Sequence, residues 1–158
     1  MDARNSAVAE TVDRELVIAR VFDAPRALVW KAWADPERVA KWWGPHGFTI
    51  TFCEMDVRAG GAYRVCMRSP EGTDHWVQGV YREIVPPERL AFTWAWEDES
   101  DKPRHETLVT VTLAERGTRT ELTLRHSGFE SDAARDEHRE GWTECLDEFP
   151  DYLATVAS

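Results

Sequence analysis

The sequence predicts an α+β domain in which one antiparallel sheet curls around a long C-terminal helix, with two short helices after the first strand. Three observations predict it. Between residues 48 and 126, six successive segments alternate apolar and polar residues with the period of a strand. From Ser131 onward the apolar residues recur every three or four positions instead. Ahead of both stands one β-branched segment, followed by two stretches that each open at a proline.

ELVIARVFD (15–23) reads as the opening strand of a single domain spanning 15–158, and the polar residues 1–14 as a flexible lead-in. Ala24-Pro25 then starts a helix, with Asp23 the expected cap and Leu28, Val29, Ala32 and Trp33 at helical spacing. Asp35-Pro36 opens the second, DPERVAKWW, which GPHG (44–47) must end. FTITFCEMDVR (48–58) and AYRVCMR (62–68) flank a glycine turn, and a loop leads to HWVQGVYREIV (75–85). Pro86-Pro87 turns the chain into LAFTWAWEDE (90–99). HETLVTVTLAE (105–115) and TRTELTLRH (118–126) complete the run. Val109, Val111 and Leu113 share a face, as do Leu122, Leu124 and His126, which fits a sheet with one face buried. On the last helix, His138, Trp142, Cys145, Phe149, Tyr152 or Leu153, and Val156 form one stripe, with Ser131 as the expected cap. Pro150 removes a backbone donor there, so a kink or a break is expected.

The net charge of −10, from 29 acidic and 19 basic residues, opposes contact with nucleic acid or anionic membrane. No apolar run approaches the ~20 residues of a membrane-spanning helix. The first residues, MDARNSAVAETVDRE, lack the apolar core of a signal peptide. Three cysteines without metal-ligand spacing suit a reducing cytoplasm. With no HxH, HExxH or CxxC, neither a metal nor a cofactor is expected. A tight turn at Ala59-Gly60 would set Cys53 opposite Cys66, and a one-residue slip would place them on opposite faces. Two reduced core thiols are the expected state. Asp56, Arg58, Arg64 and Glu83 are expected to form an ion-pair ladder that only stabilises the hairpin.

Several long stretches in this order carry a resemblance: RVFDAPRALVWKAWADPERVAKWWGP, FTITFCEMDVRAGGAYRVCMRSPEG, GVYREIVPPERLAFTW, TLVTVTL and LRHSGFESDAARDEHREGWTECLDEF. The chain resembles the helix-grip (SRPBCC) superfamily of START domains, birch-pollen-allergen-like proteins and polyketide cyclases. Within it, the chain is most similar to the bacterial branch related to the C-terminal domain of the heat-shock-protein-90 ATPase activator. The resemblance implies a hydrophobic cavity between sheet and C-terminal helix, and no single activity. It departs in lacking room for the activator's separate chaperone-binding domain, and in carrying Pro150 in a helix that usually runs on.

LAFTWAWEDE sends Leu90, Phe92, Trp94 and Trp96 to one face and Ala91, Thr93 and Ala95 to the other. Tryptophan is a costly filler for plain core, because its indole N–H needs a partner once buried. Phe92, Trp94 and Trp96 are therefore candidates for a cavity wall. Trp142 and Leu146 face them from the helix, beside Gly141, where a ligand or strand can approach closely. Of Trp42 and Trp43, adjacent at a helix end, at most one lines the interior, and Trp43 is the candidate. Met67 shares the alternation of Tyr63 and Val65 and adapts to varied shapes. His126 and His138 stand near one end of the cavity, either as rim residues satisfied by hydrogen bonds or as ligand-orienting and proton-carrying groups. No GxSxG marks a nucleophile, and no cysteine neighbours a histidine.

The expected function is non-catalytic binding of a small hydrophobic molecule, aromatic or polycyclic. A cyclase- or hydrolase-like enzyme using His126 or His138 is the alternative. A stress-related co-chaperone acting through its surface is the third reading.

Overall fold

The computed structural model describes residues 14–156. Of the lead-in expected over 1–14, only Arg14 falls among them; it donates to the Glu130 carbonyl at 2.9 Å. The chain order is β1 (Glu15–Phe22), α1 (Arg26–Ala34), α2 (Pro36–Trp42), β2 (Thr49–Met55), β3 (Ala62–Arg68), β4 (Asp74–Val85), β5 (Arg89–Trp96), β6 (Thr107–Arg116), β7 (Arg119–Ser127) and α3 (Asp132–Val156). This is the α+β order the alternation predicts. The strands form one antiparallel sheet, β1-β7-β6-β5-β4-β3-β2. Strands β2 to β7 pair in sequence, while β1 crosses to the far edge to meet β7. Between those two pairings run α1 and α2.

The sheet bends where its ladders slip, between Ile50 and Phe52 on β2 and between Tyr81 and Glu83 on β4. Gly79 marks a close approach: a Cβ there would stand 2.0 Å from the Thr93 carbonyl oxygen. The resulting trough holds α3, which buries Trp142, Cys145, Leu146, Phe149, Tyr152 and Leu153. These join Leu16, Val109, Val111, Leu122 and Leu124 in one core. The helix runs unbroken through Pro150, so the expected break does not occur. Pro150 lies on the exposed side of the helix, where its nitrogen cannot donate the usual hydrogen bond.

Local expectations met mixed outcomes. Asp35 caps α2 by accepting from Glu37 N at 3.0 Å, and Ser131 caps α3 by accepting from Ala134 N at 3.0 Å. Asp23 caps nothing; the residue at the start of α1 is Pro25, with no side-chain cap. Cys53 stands opposite Val65 and Cys66 opposite Phe52. The connection from Asp56 to Gly61 closes through Asp56 N to the Ala62 carbonyl, which sets the register one residue away from a cysteine pair. All three thiols are free.

The ion-pair ladder does not form either. Arg58 pairs with Asp56 at 2.8 Å and Glu83 with Arg89 at 2.8 Å. Arg64 is taken by Glu97, which it holds with two hydrogen bonds of 2.7 and 2.8 Å while lying 4.0 Å over the Trp76 ring. The Glu97 side chain is 2% exposed, and the Arg64 guanidinium holds its carboxyl below the usual range. This pair pins the charged loop after β5 against the outer face of the sheet.

Candidate functional site

Four tryptophans from three parts of the chain converge between the sheet and the first half of α3. Strand alternation delivers Trp94 and Trp96 from β5, and the helix stripe delivers Trp142. Trp43 arrives by leaving its helix: α2 ends at Trp42, and Trp43 takes an extended conformation, φ −66° and ψ 151°. Consecutive indoles therefore both turn inward, contrary to the expectation from helical geometry, and both are buried. Trp42 packs on Phe149 with ring centroids 4.2 Å apart and donates to the Ala32 carbonyl at 2.9 Å. Trp43 lies against Trp94 and Trp142, at 5.9 and 6.0 Å.

These rings surround a cavity of about 230 Å³. Trp43, Met67, Trp94, Trp96, His138 and Trp142, all named from sequence, line it. Phe92, His126 and Leu146 do not. Phe92 is taken up by Tyr63, Tyr81 and Trp43, with centroids 5.6 to 6.2 Å away. Leu146 is fully buried in the core away from the lining, and His126 sits one layer behind the indoles. Sequence reasoning missed Glu137, Cys145, Phe48 and His75 as lining, and read Gly44 and Pro45 only as the end of the second helix. Glu137, His138, Gly141 and Cys145 all lie on one side of α3, so the helical period could have found the first and last. Nothing in the sequence brings Phe48 and His75 together, since their contact depends on the register of the sheet.

The loop of Gly44 and Pro45 closes over the cavity and is seated on α3. Gly44 turns the chain with φ +107°. His46 N then donates to Glu144 Oε1 at 3.0 Å, and the His46 ring pairs with Glu148. Pro45 ends above Gly141, where a Cβ would find its Cγ at 3.8 Å.

Hydrogen bonds behind the wall fix its geometry. Trp142 Nε1 donates to His126 Nδ1 at 3.0 Å, so the proton of that imidazole lies on Nε2. Nε2 faces Thr107 Oγ1 at 2.6 Å, and this hydroxyl donates to the Trp94 carbonyl at 2.9 Å. Trp96 Nε1 donates to His138 Nε2 at 3.0 Å, and His138 Nδ1 donates to the Ala134 carbonyl at 2.7 Å. Each ring is a neutral imidazole with both nitrogens engaged. Burial lowers the affinity of each for a proton, and for His126 lowers it far. Neither ring has a nitrogen free for proton transfer to a molecule in the cavity. The Cys145 thiol is pushed up to about 12 by burial, which removes it as a nucleophile near neutral pH. Among the described residues no cluster of His, Cys, Asp and Glu could hold a metal ion, and no helix is long and apolar enough to cross a membrane.

The fold has counterparts. The family model of the "Activator of Hsp90 ATPase homolog 1-like protein" matches residues 23–154. A crystal structure of an AHSA1 protein from Silicibacter pomeroyi is 27% identical with a TM-score of 0.82, over 90% of this chain and 99% of that one. A solution structure of a protein from Arthrobacter aurescens is 28% identical with a TM-score of 0.83, over 92% and 88%. A crystal structure of a protein from Chromobacterium violaceum is 29% identical with a TM-score of 0.76, over 92% and 97%. A search of curated proteins finds no match. With matching running over nearly the whole described chain, this protein belongs to the family of Activator of Hsp90 ATPase homolog 1-like proteins, of the SRPBCC helix-grip type.

Proposed function

We propose that this protein binds a small hydrophobic, aromatic molecule in the cavity between the sheet and α3, and does so without catalysing a reaction on it. One observation carries the reading: Trp43, Trp94, Trp96 and Trp142 stand around the same unfilled space, alongside Met67. Aromatic walls give large apolar contact at small entropic cost, and a thioether adapts its shape to what arrives. The hydrogen bonds from Trp142 to His126 and from Trp96 to His138 hold two of these walls in place before any ligand enters, which lowers the ordering cost of binding. That both imidazoles are fully engaged argues for binding over a cyclase- or hydrolase-like role for them.

The test uses the indoles as reporters. Compact aromatic compounds are titrated against intrinsic tryptophan fluorescence of the protein and of its Trp94→Phe and Trp142→Phe variants. Saturable quenching at low-micromolar concentration, about −8 kcal/mol of binding, that weakens in both variants is the expected result. Flat titrations across a broad panel would overturn the proposal and turn attention to a protein partner at the surface.

A further inference from the structure

Resting on that reading, we infer which ligand chemistry the cavity selects: a compact, uncharged aromatic molecule that presents a hydrogen-bond acceptor, with carboxylates rejected. Size comes first. An apolar cavity of about 150 Å³ takes up a benzene ring. The 230 Å³ here has room for about two fused rings.

Charge comes second. Among the described residues no lysine or arginine lines the cavity, and the one carboxyl that does, Glu137, is exposed at the rim. Glu144 and Glu148 hold His46, next to the cavity-lining Pro45. His138 in the wall and His126 behind it are neutral and fully bonded, so neither supplies a counter-charge. His75, exposed at the same rim, is the remaining candidate cation, and it packs its ring against Phe48 and Trp96 at 5.9 and 6.3 Å. An anionic ligand entering here would lose its hydration and meet a carboxylate instead of a partner.

Polarity comes third. Trp42, Trp96 and Trp142 have acceptors for their indole N–H groups. The wall residues Trp43 and Trp94 have none, although both Nε1 atoms are buried. A buried donor without an acceptor is a standing cost. A carbonyl or ether oxygen carried by the ligand is the acceptor these two wall residues lack; neither Nε1 is exposed to the empty cavity, so pairing requires an indole to turn as the ligand enters.

Three matched probes separate these claims at pH 7.5: naphthalene, 2-acetylnaphthalene and 2-naphthoate, followed by calorimetry and tryptophan quenching. The ketone is expected to bind tightest, and the carboxylate at least about tenfold more weakly than the ketone. Glu137→Gln should narrow the gap between ketone and carboxylate. Trp94→Phe and Trp43→Phe should reduce the ketone's advantage over naphthalene, with circular dichroism reporting that each variant folds. Gly141→Leu, which projects into the cavity, should abolish binding of all three. If the carboxylate binds as well as the ketone, or if ketone and hydrocarbon bind alike, the selectivity inferred here is wrong while the cavity-binding reading stands. If no probe binds, both fall.

Discussion

Around Phe149 the space between α3 and the sheet is filled; around Trp142, two turns earlier on the same helix, it is hollow. In the filled half, Phe149 is fully buried, with Phe22 edge-on at 4.9 Å and Trp42 at 4.2 Å. In the hollow half the helix offers Gly141 and Cys145, and the large rings stand around the gap rather than in it. The difference in residue size explains why a gap exists. It does not explain why the gap persists, since four indoles could swing in and close it. The hydrogen bonds from Trp142 and Trp96 to His126 and His138 answer that: two of the walls are tied back. A filled core needs only shape, whereas an open one also needs its walls held.

The largest expected effect breaks the filled half. Phe149→Ala should cost about 3–5 kcal/mol, measured by urea denaturation. Met67→Ala, in the wall of the hollow half, should cost about 2 kcal/mol, near the low end for such a truncation, because one side of that side chain already faces space. Equal losses would mean that the two halves are packed alike.

Next comes the tie itself. His126→Leu leaves the Trp142 N–H without its acceptor and should cost about 2 kcal/mol. It should also change the response to pH. In the native state His126 and His138 resist protonation, while in the unfolded chain they take up protons near 6.5. Below that pH the unfolded state binds more protons, so stability is full above about 6.5 and falls as the pH is lowered. Urea titrations at pH 7.5 and pH 5.5 should show this loss in the wild type and a smaller one in His126→Leu. An unchanged slope would mean that His126 titrates normally when folded.

The contrast between the halves also shows what a sequence reveals. Period and turn residues gave every strand and helix, because backbone pairing follows local pattern. Trp94, Trp96 and Trp142 were legible for the same reason, each lying on a regular element with one inward face. The failures occur where a single residue changes conformation or a ladder slips. Trp43 left its helix one residue early, which turned both Trp42 and Trp43 inward. Arg64 found Glu97 across β4 rather than Asp56 in its own hairpin, a pairing set by the path of a loop. That His126 stands behind the wall follows from its two bonded partners, which lie 19 residues before it and 16 after it.

Filling the hollow half should separate stability from binding. Gly141 sits in a regular helix, and a methyl group there meets only Pro45, at ordinary contact distance. Gly141→Ala should therefore raise stability by up to about 1 kcal/mol through helix propensity alone. The same methyl group takes space from the cavity, so two-ring probes should lose affinity. A stabilised variant with unchanged affinity would place the ligand away from α3.

The smallest effect concerns the roof. His46 joins the loop after α2 to α3 through Glu144 and Glu148, and its side chain is 54% exposed. Exposed pairs of this kind contribute little to global stability, so His46→Ala should change the urea midpoint by less than about 1 kcal/mol. The backbone bond from His46 N to Glu144 remains in that variant, but the ring no longer fixes the loop to Glu148. Local opening should then become easier without global unfolding, and amide hydrogen exchange at residues 46 to 48 should speed up while the amides of β5 and α3 keep their protection. If the loop is the entrance, association of a bound aromatic probe should quicken in the same variant with its equilibrium affinity nearly unchanged. Faster exchange with an unaltered association rate would place the entrance elsewhere, at the open rim beside Glu137 and His75.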